Sequence, residues 1–340
     1  MKKSKLIPAI IAGIILISQA TYSQGCETPS DDQDGVKLFG FFQPQYDYTL
    51  SDPNTSTFKF KRARIGVMGN IPYDFTYYVV IENSAFVSQT GYPYLLDAYI
   101  SYTRLKWATV SVGSFKQPFG LDVTTACSGL PAIERSFVAD QLVAPQRDMG
   151  IMLLGGDNTT KLRYSLALMN GRGLSVKDNN NKKDVVGRVV LKPFSMLSVG
   201  ASFRYGFPNL PTADRLSLGG DFVFTAGELT VQGEYIYDEG DYNRAAGGGC
   251  GAEPVALGAK RDGGYVLAMY KTKWNVQPVA RMEFFDADKA SANNENYYMT
   301  LGLNYFFNDW TRLQFNYMYK AERGAEVPND ALMVQVQVKF

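Results

Sequence analysis

Leu332-Met333-Val334-Gln335-Val336-Gln337-Val338-Lys339-Phe340 closes the chain, and its alternation is strict. Leu332, Val334, Val336, Val338 and Phe340 share one phase; Met333, Gln335, Gln337 and Lys339 share the other. A period of two belongs to a strand, whose successive side chains point to opposite faces. One apolar face and one polar face imply two different solvents. The same reading holds just upstream, where Leu313, Phe315, Tyr317 and Tyr319 alternate with Arg312, Gln314, Asn316 and Lys320. Leu229, Val231, Gly233, Tyr235 and Tyr237 likewise alternate with Thr230, Gln232, Glu234 and Ile236. Each run has about ten residues, the length with which a tilted strand crosses a bilayer.

Working back through the chain gives about sixteen such runs, centred near residues 42, 63, 79, 99, 111, 152, 166, 188, 201, 220, 233, 267, 281, 301, 316 and 336. Even-to-odd joins are tight, as in NIPYD, LKWA, GDNTT, KPFSM, TAGE, KTKWN and FNDW. Odd-to-even joins are longer and polar, such as SDPNTST, GRGLSVKDNNNKKD and the glycine-rich segment around Asp241–Asp262. Short turns on one side and long loops on the other are the habit of a transmembrane barrel. The expected fold is therefore all-β: a transmembrane antiparallel β-barrel of about sixteen strands over residues 36–340. An even, closed set of strands satisfies every backbone group in lipid, and a barrel of this size leaves an aqueous lumen.

One stretch breaks the rhythm. From Lys116 to Asp148 there is neither alternation nor a long helical face, yet Leu121, Leu130, Ile133, Phe137, Val138 and Leu142 keep it apolar. Loops this long inside a compact domain are functional or disordered, and the apolar content opposes disorder. The expectation is a loop folded into the lumen that narrows it.

The N-terminus reads as a signal peptide, residues 1–23. Lys2, Lys3 and Lys5 precede an apolar run too short to span a membrane, and small residues Thr21 and Ser23 lie ahead of Gln24. A short periplasmic segment, 24–35, would follow. Cys26 does not make a lipobox, because Gln24 stands where a small residue is wanted. Removing three lysines leaves 31 basic residues against 33 acidic, a charge of −2. That balance, with no nucleic-acid module, excludes a polynucleotide partner. No histidine is present, so Ser–His, Cys–His and His-ligated metal chemistry are excluded; three unrelated cysteines make no zinc site. Neither cofactor nor metal is expected, and the chain does not read as an enzyme. The 22 Tyr and 21 Phe suit a boundary between water and lipid.

Two segments resemble the phosphate-selective porin O and P family. FKFKRARIGVMGNIPYDFTYYVVIE, from Phe58 to Glu82, is similar to that family's early hairpin. VGSFKQPFGL, PAIERSFV and QRDMGIMLLG are similar to its strand, inward loop and next strand, and Phe340 resembles a terminal barrel-assembly signal. The resemblance implies an outer-membrane, sixteen-stranded homotrimeric porin, set among lipid and lipopolysaccharide, that passes small anions along basic residues.

The residues themselves test the last point. Phase places Lys37, Arg62, Arg64, Arg188, Arg204, Arg281, Arg312, Lys320 and Lys339 on the polar faces, together with Asp47, Glu82, Asp97, Asp221, Glu234 and Glu283. The loop adds Lys116, Arg135 and Arg147 alongside Asp122, Glu134, Asp140 and Asp148. Lys37, Arg62, Arg64, Lys116, Arg135, Arg147, Arg188, Arg204, Arg281 and Arg312 are the candidate anion-contacting residues, with Asp47 and Glu82 as candidate partners of Arg62 and Arg64. The bases outnumber the acids without excluding them, and no lysine cluster marks a dedicated phosphate site. Cys127 and Cys250 fall on the same external side of an oxidising compartment, and a disulfide between them is expected. A surface binding or adhesion barrel acting through its external loops is the alternative function.

Overall fold

Every run read as a strand forms one. The computed structural model describes residues 35–88, 93–174, 177–242, 255–324 and 326–340. The strands are β1 Lys37–Leu50, β2 Thr55–Ile71, β3 Phe75–Glu82, β4 Tyr94–Tyr102, β5 Thr109–Lys116, β6 Arg147–Gly155, β7 Leu162–Met169 and β8 Asp184–Phe194. They continue with β9 Leu197–Gly206, β10 Arg215–Ala226, β11 Leu229–Gly240, β12 Lys260–Tyr270, β13 Val276–Asp286, β14 Glu295–Phe306, β15 Thr311–Glu322 and β16 Asp330–Lys339. Short helices α1 (Ala85–Ser88), α2 (Leu121–Thr124) and α3 (Phe137–Leu142) lie in the joins. The signal-peptide residues, nearly all of 24–35, and Cys26 and Cys250 lie outside the described residues.

Each strand pairs antiparallel with its sequence neighbours, and β1 closes on β16. At the seam the Gly40 and Phe340 backbones exchange hydrogen bonds of 2.9 and 3.0 Å. Gly40 is needed there because a Cβ would stand 2.4 Å from the Arg64 carbonyl and 2.7 Å from the Phe340 ring. The terminal aromatic thus sits over the closure, its ring centroid 5.5 Å from that of Phe42.

Alternation sorts the two faces as the sequence implied. On β16 Met333, Gln335 and Gln337 are buried, while Val336 and Val338 face outward. Ile65, Ile81, Ile100, Val112, Ile151, Leu166, Leu168, Val189 and Leu191 continue that exposed apolar surface on other strands. Tyr73, Trp107, Phe194, Trp274 and Trp310 are exposed in or beside the short turns, where an aromatic ring can straddle the lipid–water boundary. The long connection is 117–146, between β5 and β6. It carries the principal buried cluster: Phe119, Val123, Val138, Ala139, Leu142 and Val143 pack with Tyr99, Met152, Met169, Val186, Ile236 and Phe285 of the barrel wall.

Candidate functional site

The segment 117–146 is tied to strands all round the ring. Gly120 N donates to Ser202 Oγ of β9 at 3.0 Å, and Leu121 N and Asp122 N donate to the Glu234 carboxylate of β11 at 3.1 and 3.0 Å. Gly120 is the motif glycine of QPFGL, and its role is steric. Its φ is +73°, and a Cβ there would lie 2.0 Å from Glu234 Oε1. Further along, Ile133 N donates to Asn316 of β15 (2.8 Å) and Phe137 N to Glu283 of β13 (2.7 Å). Ser128 O accepts from Gln337 of β16 (3.1 Å) and Pro131 O from Asn304 of β14 (2.8 Å).

Its C-terminal end is gripped by a cluster that sequence phase only half revealed. Asp238 of β11 accepts from Arg215 Nε at 2.9 Å and Arg261 Nε at 2.6 Å, with Arg204 NH2 3.4 Å away. Arg204 and Arg215 also reach the carbonyls of Leu142 and Ala144, at 2.7 to 3.3 Å. All four charged side chains are at most 2 % exposed. Arg204 was a candidate; Arg215, Arg261 and Asp238 were not. Arg215 and Arg261 stand at strand beginnings, Arg261 inside the glycine-rich join, and extending the alternation of β10 and β12 outward would have found them.

The other candidates divide by partner. Arg64 meets Glu82 at 2.8 Å, Arg147 forks onto Asp97 at 2.8 and 3.2 Å, and Arg281 meets Glu283 at 2.8 Å. Arg188 forks onto Asp221 and also donates to Ser202. Lys116 donates to the carbonyls of Val123 and Thr125, both at 3.0 Å, and Arg135 to those of Asp122 and Thr125. Lys37, at the start of β1, is exposed. Cys127 Sγ accepts from Arg64 NH1 at 3.1 Å and Arg135 NH2 at 3.3 Å; its expected partner Cys250 is outside the described residues. Burial pushes the Glu134 carboxyl up, but the Lys61 ammonium 2.6 Å away, together with the charges of Arg62 and Lys59, more than offsets this and holds it below its usual range.

Arg62 departs from expectation. Asp47 pairs with Lys59, and Arg62 NH1 donates to Gln43 Oε1 at 2.7 Å. Gln43 Nε2 in turn donates to Gln337 Oε1 at 2.7 Å, which also accepts from Arg312 NH2 at 3.0 Å. Two guanidiniums, on β2 and β15, are thus bridged across the closure seam by two neutral amides. Elsewhere charge is nearly balanced: nine other Arg and Lys are buried against ten Asp and Glu among the described residues, so placement outweighs number.

A closed sixteen-strand barrel, apolar outside and charged within, is the architecture of the porin class of membrane barrels. The chain belongs to the phosphate-selective porin O and P family, whose description matches residues 37–219 and 207–340. Family and fold together point to a channel. Its fold is similar to that of an anion-selective porin from Comamonas acidovorans, at a TM-score of 0.69 and 13% identity, covering 90% of this chain and 99% of that one. It is also similar to Salmonella typhi OmpF in complex with daunomycin (0.67, 12%, covering 92% and 99%). A third similar structure is the trimer form of Vibrio cholerae OmpT (0.62, 13%, covering 90% and 99%). No curated protein sequence matches the chain significantly.

The Asp238 cluster makes a test of how the segment is held. In Asp238→Asn three guanidiniums lose their shared anion, and removing one partner from a buried ion pair costs about 3–5 kcal/mol. The expected outcome is a lower unfolding temperature in detergent and more frequent current interruptions in bilayers. A variant as stable and as quiet as the parent would show that the cluster does not anchor the segment.

Proposed function

We propose that this protein is a diffusion porin that passes small anions in preference to cations, with residues 117–146 inside the barrel as its constriction. The observation that carries the anion preference is the Arg62–Gln43–Gln337–Arg312 chain. Like charges are held together there by amides, which orient the guanidiniums, and the field of Arg62 also reaches the Glu134 carboxylate of the segment. Fixed positive charge in a confined water column raises the local anion concentration, and salt screens the effect. A guanidinium also grips oxyanions in a fork, which suits the phosphate named in the family's description. Support for the constriction comes from the segment's partners on β9, β10, β11 and β13–β16. An external flap could not reach groups on so many inner faces. Lipopolysaccharide and lipid are the surroundings proposed for the apolar exterior, and the trimer form of OmpT motivates the same assembly here.

Replacing both Arg62 and Arg312 with Glu should move the reversal potential in a salt gradient toward cations, most strongly at low ionic strength. The pair Arg64 and Glu82 already cancels, so removing both charges together, in Arg64→Gln with Glu82→Gln, should shift it much less. A zero shift from the double variant would end the claim that these arginines set selectivity.

Deleting residues 124–139 should enlarge the single-channel current while leaving heat-stable folding intact, because the strand-to-strand hydrogen bonds of the barrel do not involve them. An unchanged current would place the segment away from the conducting path. Cross-linking in mild detergent should give a threefold species, and a monomer by light scattering would count against the trimer.

A further inference from the structure

Two of the tight joins carry the same four-residue pattern, and conduction makes no use of it. Arg104-Leu105-Lys106-Trp107 lies between β4 and β5, and Lys271-Thr272-Lys273-Trp274 between β12 and β13. Each is a base, a spacer, a lysine and a tryptophan, and neither join contains Asp or Glu. In strand order the two stand on opposite sides of the ring. They hold two of the chain's three tryptophans; the third, Trp310, follows Asp309 in the join between β14 and β15.

Both patterns are open at the surface. Trp107 is 63% exposed and Trp274 79%, and Arg104, Lys106, Lys271 and Lys273 are exposed beside them. Among the described residues Lys106 and Lys273 make no ion pair and no side-chain hydrogen bond. Asp74 lies 3.9 Å from Arg104, and Glu228 O accepts from Lys271 N at 2.9 Å. Those two carboxylates, in adjoining joins, offset the first base of each pattern and leave Lys106 and Lys273 in excess. The long-loop end differs: Lys183, Lys260, Lys289 and Arg323 meet Asp178, Glu239, Asp262 and Glu295 there.

This arrangement selects a partner. A tryptophan at a membrane boundary sits at the level of the headgroups, its ring in the apolar layer and its N–H toward water. A lysine one residue before it then stands at phosphate depth, where bases attract anionic headgroups. A zwitterionic headgroup brings an ammonium of its own, which the lysine repels. Lipopolysaccharide fills the outer leaflet, on the side of the long loops, so the short turns meet glycerophospholipid.

We infer that these two joins are binding sites for the headgroups of anionic glycerophospholipids such as phosphatidylglycerol. The inference rests on the membrane-barrel reading and names a lipid partner for one end of the barrel. One lysine near a membrane surface favours an anionic lipid about fivefold, so phosphatidylglycerol should be enriched about fivefold beside Trp107 and Trp274. Beside Trp310, which follows an aspartate, it should not be enriched.

The tryptophans themselves report the result, because bromine on a lipid chain quenches indole fluorescence on contact. The full folded protein is placed in mixed vesicles of phosphatidylcholine and phosphatidylglycerol, with one lipid or the other brominated. Trp310→Phe leaves the two patterned tryptophans, and Trp107→Phe with Trp274→Phe leaves Trp310 alone. Brominated phosphatidylglycerol should quench the first variant well beyond its share of the lipid, and the second in proportion to it. Adding Lys106→Gln and Lys273→Gln to the first should abolish the excess. Quenching in proportion at all three tryptophans, or an excess that survives loss of both lysines, overturns the sites. Relief of the excess by added lipid A would give the joins to lipopolysaccharide and overturn them too. Chloride currents in planar bilayers test the channel separately. Currents without the excess leave the channel standing and remove the sites; the excess without currents keeps the sites and removes the channel.

Discussion

A peptide group left unpaired in hydrocarbon costs several kcal/mol, and the whole structure follows from avoiding that cost. Sixteen strands pair in sequence order, and the last pairs with the first, so no edge is left for lipid to meet. Closure then imposes the alternation. Each strand must offer one face to hydrocarbon and the other to an enclosed space, and only that inner face is free to carry charge. Gly40 and Phe340 show how tightly the joint is made: backbone and terminal ring approach where no side chain could fit.

Charge placed on the inner face has to be satisfied in turn. Much of it is used to hold the segment between β5 and β6. Arg204, Arg215 and Arg281 donate to its carbonyls, while Glu234 and Glu283 accept from its amides. A buried ion pair by itself adds little net stability. These groups instead fix the position of a chain that has no regular ladder of its own. The Arg62 and Arg312 pair differs because amides hold it. Two like charges on neighbouring faces of the seam are thereby kept in fixed orientation by neutral groups.

The barrel was almost wholly legible in the sequence, because alternation is a local property that lipid enforces on every strand. All sixteen centres fall within strands, and the short turns fall where the tight joins were read. The inner surface was legible only by face. Phase told that Arg62 points inward; it could not tell that Gln43 rather than Asp47 would meet it, since that depends on register across β1 and β2, where a bulge at Gln43–Pro44 shifts the pairing. Arg215 and Arg261 were missed because they stand at the first two residues of their strands, Arg261 within the stretch whose glycines mark it as loop. The internal contacts of 117–146 are long-range and carry no periodic signal. Its apolar residues announced burial without saying against what.

The segment's bonds also have a mechanical consequence. Gln337 of β16 and Gln43 of β1 hold it at Ser128 and Cys127, while Arg204 and Arg215 of β9 and β10 hold it at Leu142 and Ala144. These strands lie far apart around the ring. The segment is therefore a cross-brace: squeezing the cylinder into an oval would have to stretch or buckle it. A bare sixteen-strand tube would have only its strand-to-strand hydrogen bonds to resist that squeeze, whereas here the segment's bonds to β1, β9, β10 and β16 add to them.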